Sequence, residues 1–121
     1  MLNKQDFLNT IYQDIDIVRG DSLTFNFELN GLQGETPDFT FTCKDHYNGT
    51  VVFTATNNSG ISLENYNATS DTATFSVWID PNKTKNLELT RYYYDLEMRL
   101  DDDVITLMRG RFTLLYDVTR G

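Results

Sequence analysis

The chain has 121 residues, enough for one domain with one hydrophobic core. Its net charge of −8 and pI near 4.4 argue against the basic surface that phosphate binding needs, so neither nucleic acid nor an anionic membrane is an expected partner. Cysteine is used once, at Cys43, which excludes an internal disulfide and ties the chain to no oxidising compartment.

Residues 1–10 (MLNKQDFLNT) read as a mostly polar N-terminal arm that carries Leu2, Phe7 and Leu8. They contain no apolar run long enough for a signal peptide or a membrane span. Residues 11–121 read as a single domain. In residues 11–18 (IYQDIDIV), Ile11, Ile15 and Ile17 share one face, which predicts a first strand with Tyr12, Asp14 and Asp16 outward. Arg19-Gly20-Asp21 is a turn signal. Residues 22–29 alternate cleanly, with Leu23, Phe25, Phe27 and Leu29 inward. The two strands are expected to form a hairpin or an inter-sheet corner around Gly20.

A loop over residues 30–37 leads to a strand at 38–45 with Phe39, Phe41 and Cys43 inward. Asn48-Gly49 predicts a hairpin turn into Val51–Ala55. After a short strand at Ile61–Leu63, residues 64–72 are polar and read as loop. Residues 73–79 place Phe75, Val77 and Ile79 on one face and Trp78 on the other. A short helical turn is predicted near 81–87, with Asp80 as its cap and Pro81 at its first position.

The last third, residues 91–120, is expected to be a closing hairpin. Tyr92, Tyr94, Leu96, Met98 and Leu100 face one way, then Ile105 and Leu107, then Phe112, Leu114 and Tyr116. The inward parity changes from odd to even between Leu107 and Phe112. A strand makes that change only with an extra residue, so a β-bulge is predicted, and Gly110 marks it at Arg109-Gly110. A two-residue turn at Asp102-Asp103 would then set Leu100 opposite Ile105 and Tyr94 opposite Phe112. Seven or eight short strands punctuated by turns indicate an all-β, immunoglobulin-like antiparallel β-sandwich, with a small barrel as the competing architecture.

No stretch carries a catalytic constellation. Cys43 and His46 lack further His or Cys partners, and on a strand they point to opposite faces. Asp101, Asp102 and Asp103 at a hairpin tip read as a solvated turn in preference to a calcium site, which needs six or more converging oxygens. The expectation is therefore no catalytic residue, no metal and no cofactor. The four Asn-x-Ser/Thr sequons at Asn48, Asn57, Asn67 and Asn82 are ordinary products of an Asn- and Thr-rich chain. Trp78, Tyr93, Tyr12 and Tyr47 form the candidate partner interface, and Trp78 and Tyr93 face away from their strands' apolar side by parity. Exposed aromatics are enriched at protein contacts and also stack on sugar rings.

Several of these motifs resemble a known family. Arg19-Gly20-Asp21-Ser22-Leu23-Thr24-Phe25 is similar to the opening strand of small bacteriophage structural proteins of tail, baseplate or head-accessory type. Tyr92 to Asp95, Thr106, Gly110 and finally Asp117-Val118-Thr119-Arg120 resemble their closing hairpin, and Pro81 to Leu87 resembles the turn before it. More distantly, the chain resembles the N-terminal β-sandwich module of the upper baseplate protein, without its downstream coiled coil or receptor-binding region. The resemblance covers most of residues 11–120. It implies a non-enzymatic structural protein of the virion, made in the host bacterial cytoplasm. Its implied partners are other virion proteins and other copies of itself. The alternative is a carbohydrate-binding module for host-surface attachment.

Overall fold

The computed structural model describes residues 10–118. Residues 1–9 of the predicted arm, and the closing Thr119 and Arg120, lie outside them. Among the described residues nine strands form: β1 (Ile11–Tyr12), β2 (Ile15–Val18), β3 (Leu23–Asn30), β4 (Asp38–Lys44), β5 (Val51–Asn57), β6 (Gly60–Asn67), β7 (Thr72–Ile79), β8 (Arg91–Leu100) and β9 (Asp103–Leu115). A 3₁₀ turn spans Pro81–Lys83. The all-β architecture expected from the alternation is present, as one continuous sheet curled into a half-barrel. Its strand order is β1-β9-β8-β4-β5-β6-β7-β3, with β2 also on β9.

The sheet folds over at β5–β6. These strands share a short parallel bridge, Thr56↔Gly60 and Asn57↔Ile61, and the chain turns there from one half of the sheet to the other. Gly60 takes φ +107 at this corner, and an added Cβ would press on Ala55 and on the Trp78 carbonyl. The two halves then face each other across an aromatic core. Phe25 of β3 meets Phe41 of β4 at 6.1 Å, and Phe27 and Phe75 stack at 5.2 Å with Phe39 against Phe75 at 4.6 Å. Phe41 also stacks on Tyr94 and abuts Phe53 and Phe112. Aromatic pairs of this kind add stability beyond the area they bury.

Three expectations change in detail. The sheet is mixed: β1 and β2 run parallel to β9, with Ile15↔Phe112 and Ile17↔Leu114 in register. The predicted first strand is broken in two at Gln13 and Asp14, and Ile11 is exposed while Ile17 is buried. The region expected as loop continues β6 to Asn67, because its polar side chains lie on the outer face and its backbone pairs with β7 as far as Asn67↔Thr72.

The closing hairpin contains the predicted bulge in a different place. Its two-residue turn is Asp101 and Asp102, which sets Leu100 opposite Asp103. Met98 opposes Ile105, Leu96 opposes Met108, Tyr94 opposes Gly110 and Tyr92 opposes Phe112. The extra residue is therefore Leu107, across from the Leu96–Glu97 step. Gly110 has another cause. A Cβ there would collide with the Gln13 carbonyl, where the first strand breaks as it runs alongside β9. Gln13 N donates to Arg109 O at 2.9 Å, Tyr94 Oη donates to Gln13 O, and Arg111 N donates to Asp14 Oδ1 at 3.0 Å.

Arg19-Gly20-Asp21 forms the corner that carries the chain from β2 to β3 at the far end of the sheet. Gly20 has φ +86, and Asp21 N donates to Val18 O, closing a turn that needs this conformation. Gly20 N donates to the fully buried Thr84 Oγ1 at 3.1 Å, and Arg19 Nη1 to Leu87 O at 3.2 Å. The tripeptide thus fastens the corner to the turn after β7. That turn starts as predicted, with Asp80 accepting from Asn82 N and Pro81 next.

Candidate functional site

The side-by-side strands β4, β8 and β9 have one buried and one outer face. Alternation sends Thr42, Lys44, Tyr93, Asp95 and Glu97 outward. On β9 the outward set depends on the bulge. Up to Leu107 the buried residues are odd, Ile105 and Leu107; after it Met108, Gly110 and Phe112 take the inward side, so Arg109 and Arg111 point out. Arg109 thereby sits beside Asp95 on one side and, by the parallel pairing Tyr12↔Arg109, beside Tyr12 on the other.

The β4–β5 loop, residues 45–50, supplies the remaining ring. Asp45 braces it: Thr50 N donates to Asp45 Oδ1 at 2.8 Å and Asp45 N to Thr50 O at 3.1 Å. His46 Nδ1 lies 3.2 Å from the same carboxylate oxygen, and these bonds hold the Asp45 carboxyl below its ordinary range. Gly49 belongs to this loop because any Cβ would overlap Asp45 Oδ1 and His46. The loop presents Tyr47 across Tyr93, ring centroids 4.2 Å apart and tilted by 36°. The Arg109 guanidinium lies 5.6 Å from the Tyr47 ring and 5.9 Å from the Tyr12 ring, within cation–π range of both.

Three of the four predicted interface residues, Tyr12, Tyr47 and Tyr93, are therefore one cluster organised around Arg109. Tyr12 is 75% exposed and Tyr47 59% exposed. Trp78 is outward as its parity predicts and 47% exposed, but it belongs to β7, paired across from Thr24, on the other half of the sheet. Arg109 is the residue the sequence reading misses. A bulge assigned to Leu107, not to Arg109-Gly110, would have turned it to the outer face.

Beside the cluster lies a groove of about 220 Å³ bordered by Lys44, Tyr47, Tyr93, Asp95, Thr106 and Arg109. Burial in its wall raises the Asp95 carboxyl above its ordinary range, reinforced by Glu97 and opposed by Lys44 and Arg109. Among the described residues Asp95 Oδ1 has no hydrogen-bond partner. This face offers ring surfaces, a guanidinium held over them and a flanking carboxylate.

The other candidates are placed elsewhere. Cys43 is fully buried in the core and burial pushes its thiol up to about 12, so it is no nucleophile at neutral pH. His46 is exposed on the loop. Among the described residues no group of three or more His, Cys, Asp or Glu is arranged to hold a metal ion, and no helix is long and apolar enough to cross a membrane.

No family model and no curated protein matches the chain. Among solved structures, a family 123 glycoside hydrolase from Clostridium perfringens, studied for its hydrolysis of glycolipid glycans, superposes with a TM-score of 0.52 at 15% identity. The match takes in 89% of this chain and 23% of the hydrolase, so the chain spans less than a quarter of that enzyme. At that identity the likeness concerns the fold alone.

Proposed function

We propose that the protein is a non-enzymatic structural component of a bacteriophage virion, a tail, baseplate or head-accessory adaptor that acts through protein–protein contacts. The observation that carries the reading is the exposed cluster of Tyr12, Tyr47 and Tyr93 around Arg109. Tyr and Arg are the residue types that dominate binding energy at protein interfaces, and truncating one such anchor typically costs about 2 kcal/mol or more. The order of motifs shared with small phage structural proteins gives the assembly context: synthesis in the host cytoplasm, then incorporation into the particle beside other virion proteins or further copies. The test is mass spectrometry of purified particles produced with the wild-type chain, Tyr47→Ala or Arg109→Ala. Retention of the wild type and loss of folded variants supports the reading; absence of the wild type from particles refutes it.

A second reading, a carbohydrate-binding module for host-surface attachment, draws on the groove. Tyr47 and Tyr93 offer ring faces, Asp95 an acceptor and Lys44 a donor around a space of sugar-ring size. Titration of a panel of mono- and oligosaccharides with Tyr93→Ala as control separates the two readings.

A further inference from the structure

The half-barrel has an open seam. β2 and β3 are consecutive in the chain but do not pair. They diverge from the Gly20 corner to opposite ends of the sheet, β2 on β9 and β3 on β7. Among the described residues neither pairs with anything on its other side. The seam leaves its mark on burial. On β4 and β7 the inward side chains are covered, Phe39, Phe41 and Cys43 on the one and Phe75, Val77 and Ile79 on the other. The equivalent residues of β3, namely Leu23, Phe25, Phe27 and Leu29, are all left half-buried. Across from them Ile15 and Met108 are half-buried too, and the space between holds about 380 Å³.

The β3 edge also lacks what usually blunts an exposed strand. Over eight residues, LTFNFELN, it has no proline, no lysine and no register shift against β7, and Glu28 is its one charge. Such an edge is a template for a further strand. The opposite wall of the seam carries Asp14 and Asp16, and among the described residues no Lys or Arg lines the space.

We propose that this seam is a strand-addition site: an extended segment of a partner protein, alternating apolar and basic residues, pairs along β3, lays its apolar side chains over Phe25 and Ile15, and sets its cations against Asp14 and Asp16. Main-chain hydrogen bonds would supply affinity and the alternating side chains specificity. The charge of the wall selects against an acidic strand, and with it against a second copy of this net-negative chain. The inference assigns a strand-binding mode to the adaptor reading at a surface separate from the tyrosine cluster, so Tyr47→Ala leaves it untouched.

The experiment uses the full chain and two synthetic peptides about as long as β3, one alternating valine with lysine and one alternating valine with glutamate. Binding is followed by anisotropy of the labelled peptide and by amide hydrogen exchange. The lysine peptide should bind and slow exchange at the Leu23–Asn30 amides by about tenfold or more. Asp16→Lys, checked for folding by circular dichroism, should weaken it about tenfold, with Asp16→Asn intermediate. The proposal is overturned by four results: no binding, equal binding of the glutamate peptide, binding without slowed exchange on β3, or binding unchanged in Asp16→Lys. Protection of β3 that grows with protein concentration in the absence of peptide would instead assign the seam to a second copy. Binding that appears only after removal of residues 1–9 would assign it to the chain's own arm. Either result also refutes the proposal.

Discussion

At Gly110 the constraint is space, not backbone conformation. The residue lies under the Gln13 carbonyl, where the broken first strand runs alongside β9, and a methyl group has nowhere to go. Gly110→Ala should therefore destabilise the domain by about 1–3 kcal/mol, read as a lower urea midpoint at unchanged slope. Gly31, with φ +88 and nothing within 4 Å, is the matched control. There only the left-handed backbone opposes a side chain, so Gly31→Ala should cost about 1 kcal/mol. The titratable residues of the core make a second prediction. Burial pushes the Cys43 thiol from 9.0 to about 12 and the Tyr94 hydroxyl from 10.0 to about 12. Both groups hold their proton more tightly folded than unfolded. Their contribution to stability is thus complete below pH 9 and is lost as the pH rises from 9 to 12. Thermal melts across that window should show a steep decline that is shallower in Cys43→Ala.

The elements show how far alternation can be read and where it stops. Phe39, Phe41 and Cys43, or Tyr92 through Leu100, could be assigned inward from period alone because each strand keeps one buried face. The parity change in β9 was legible for the same reason. Its position was not: Gly110 is a conspicuous breaker, but it answers to the close approach of a neighbouring strand 97 residues away in sequence, and no local pattern reports that approach. The site inherits the same limit. Tyr12, Tyr47 and Tyr93 could be singled out as outward aromatics, but their convergence needs β1 laid parallel on β9 and the 45–50 loop folded over β8. Arg109, which joins them, depends on the bulge at Leu107. The hairpin tip yields an element-scale prediction. Asp101 sits at φ +51 at the first position of a two-residue turn, where glycine is favoured. Asp101→Gly should raise stability by about 0.5–1 kcal/mol in chemical denaturation.

On the scale of the whole molecule, a few aromatic side chains join the two halves of the curled sheet. Phe41 is fully buried and touches rings from β3, β5, β8 and β9. Phe41→Ala should cost about 3–5 kcal/mol, a large part of the stability of a domain this size. The loss should be shared by both halves. Trp78 reports from β7, well away from the tyrosine cluster. Its fluorescence transition should therefore shift together with the far-ultraviolet circular dichroism transition, and separation of the two would show that the halves melt independently. The parallel pairing of β1 and β2 with β9 has one more outcome, in time. Thr10 finds its partner Thr106 ninety-six residues later. At cellular elongation rates the first strands therefore wait about 5–20 s on the ribosome before the strand they belong to has been made.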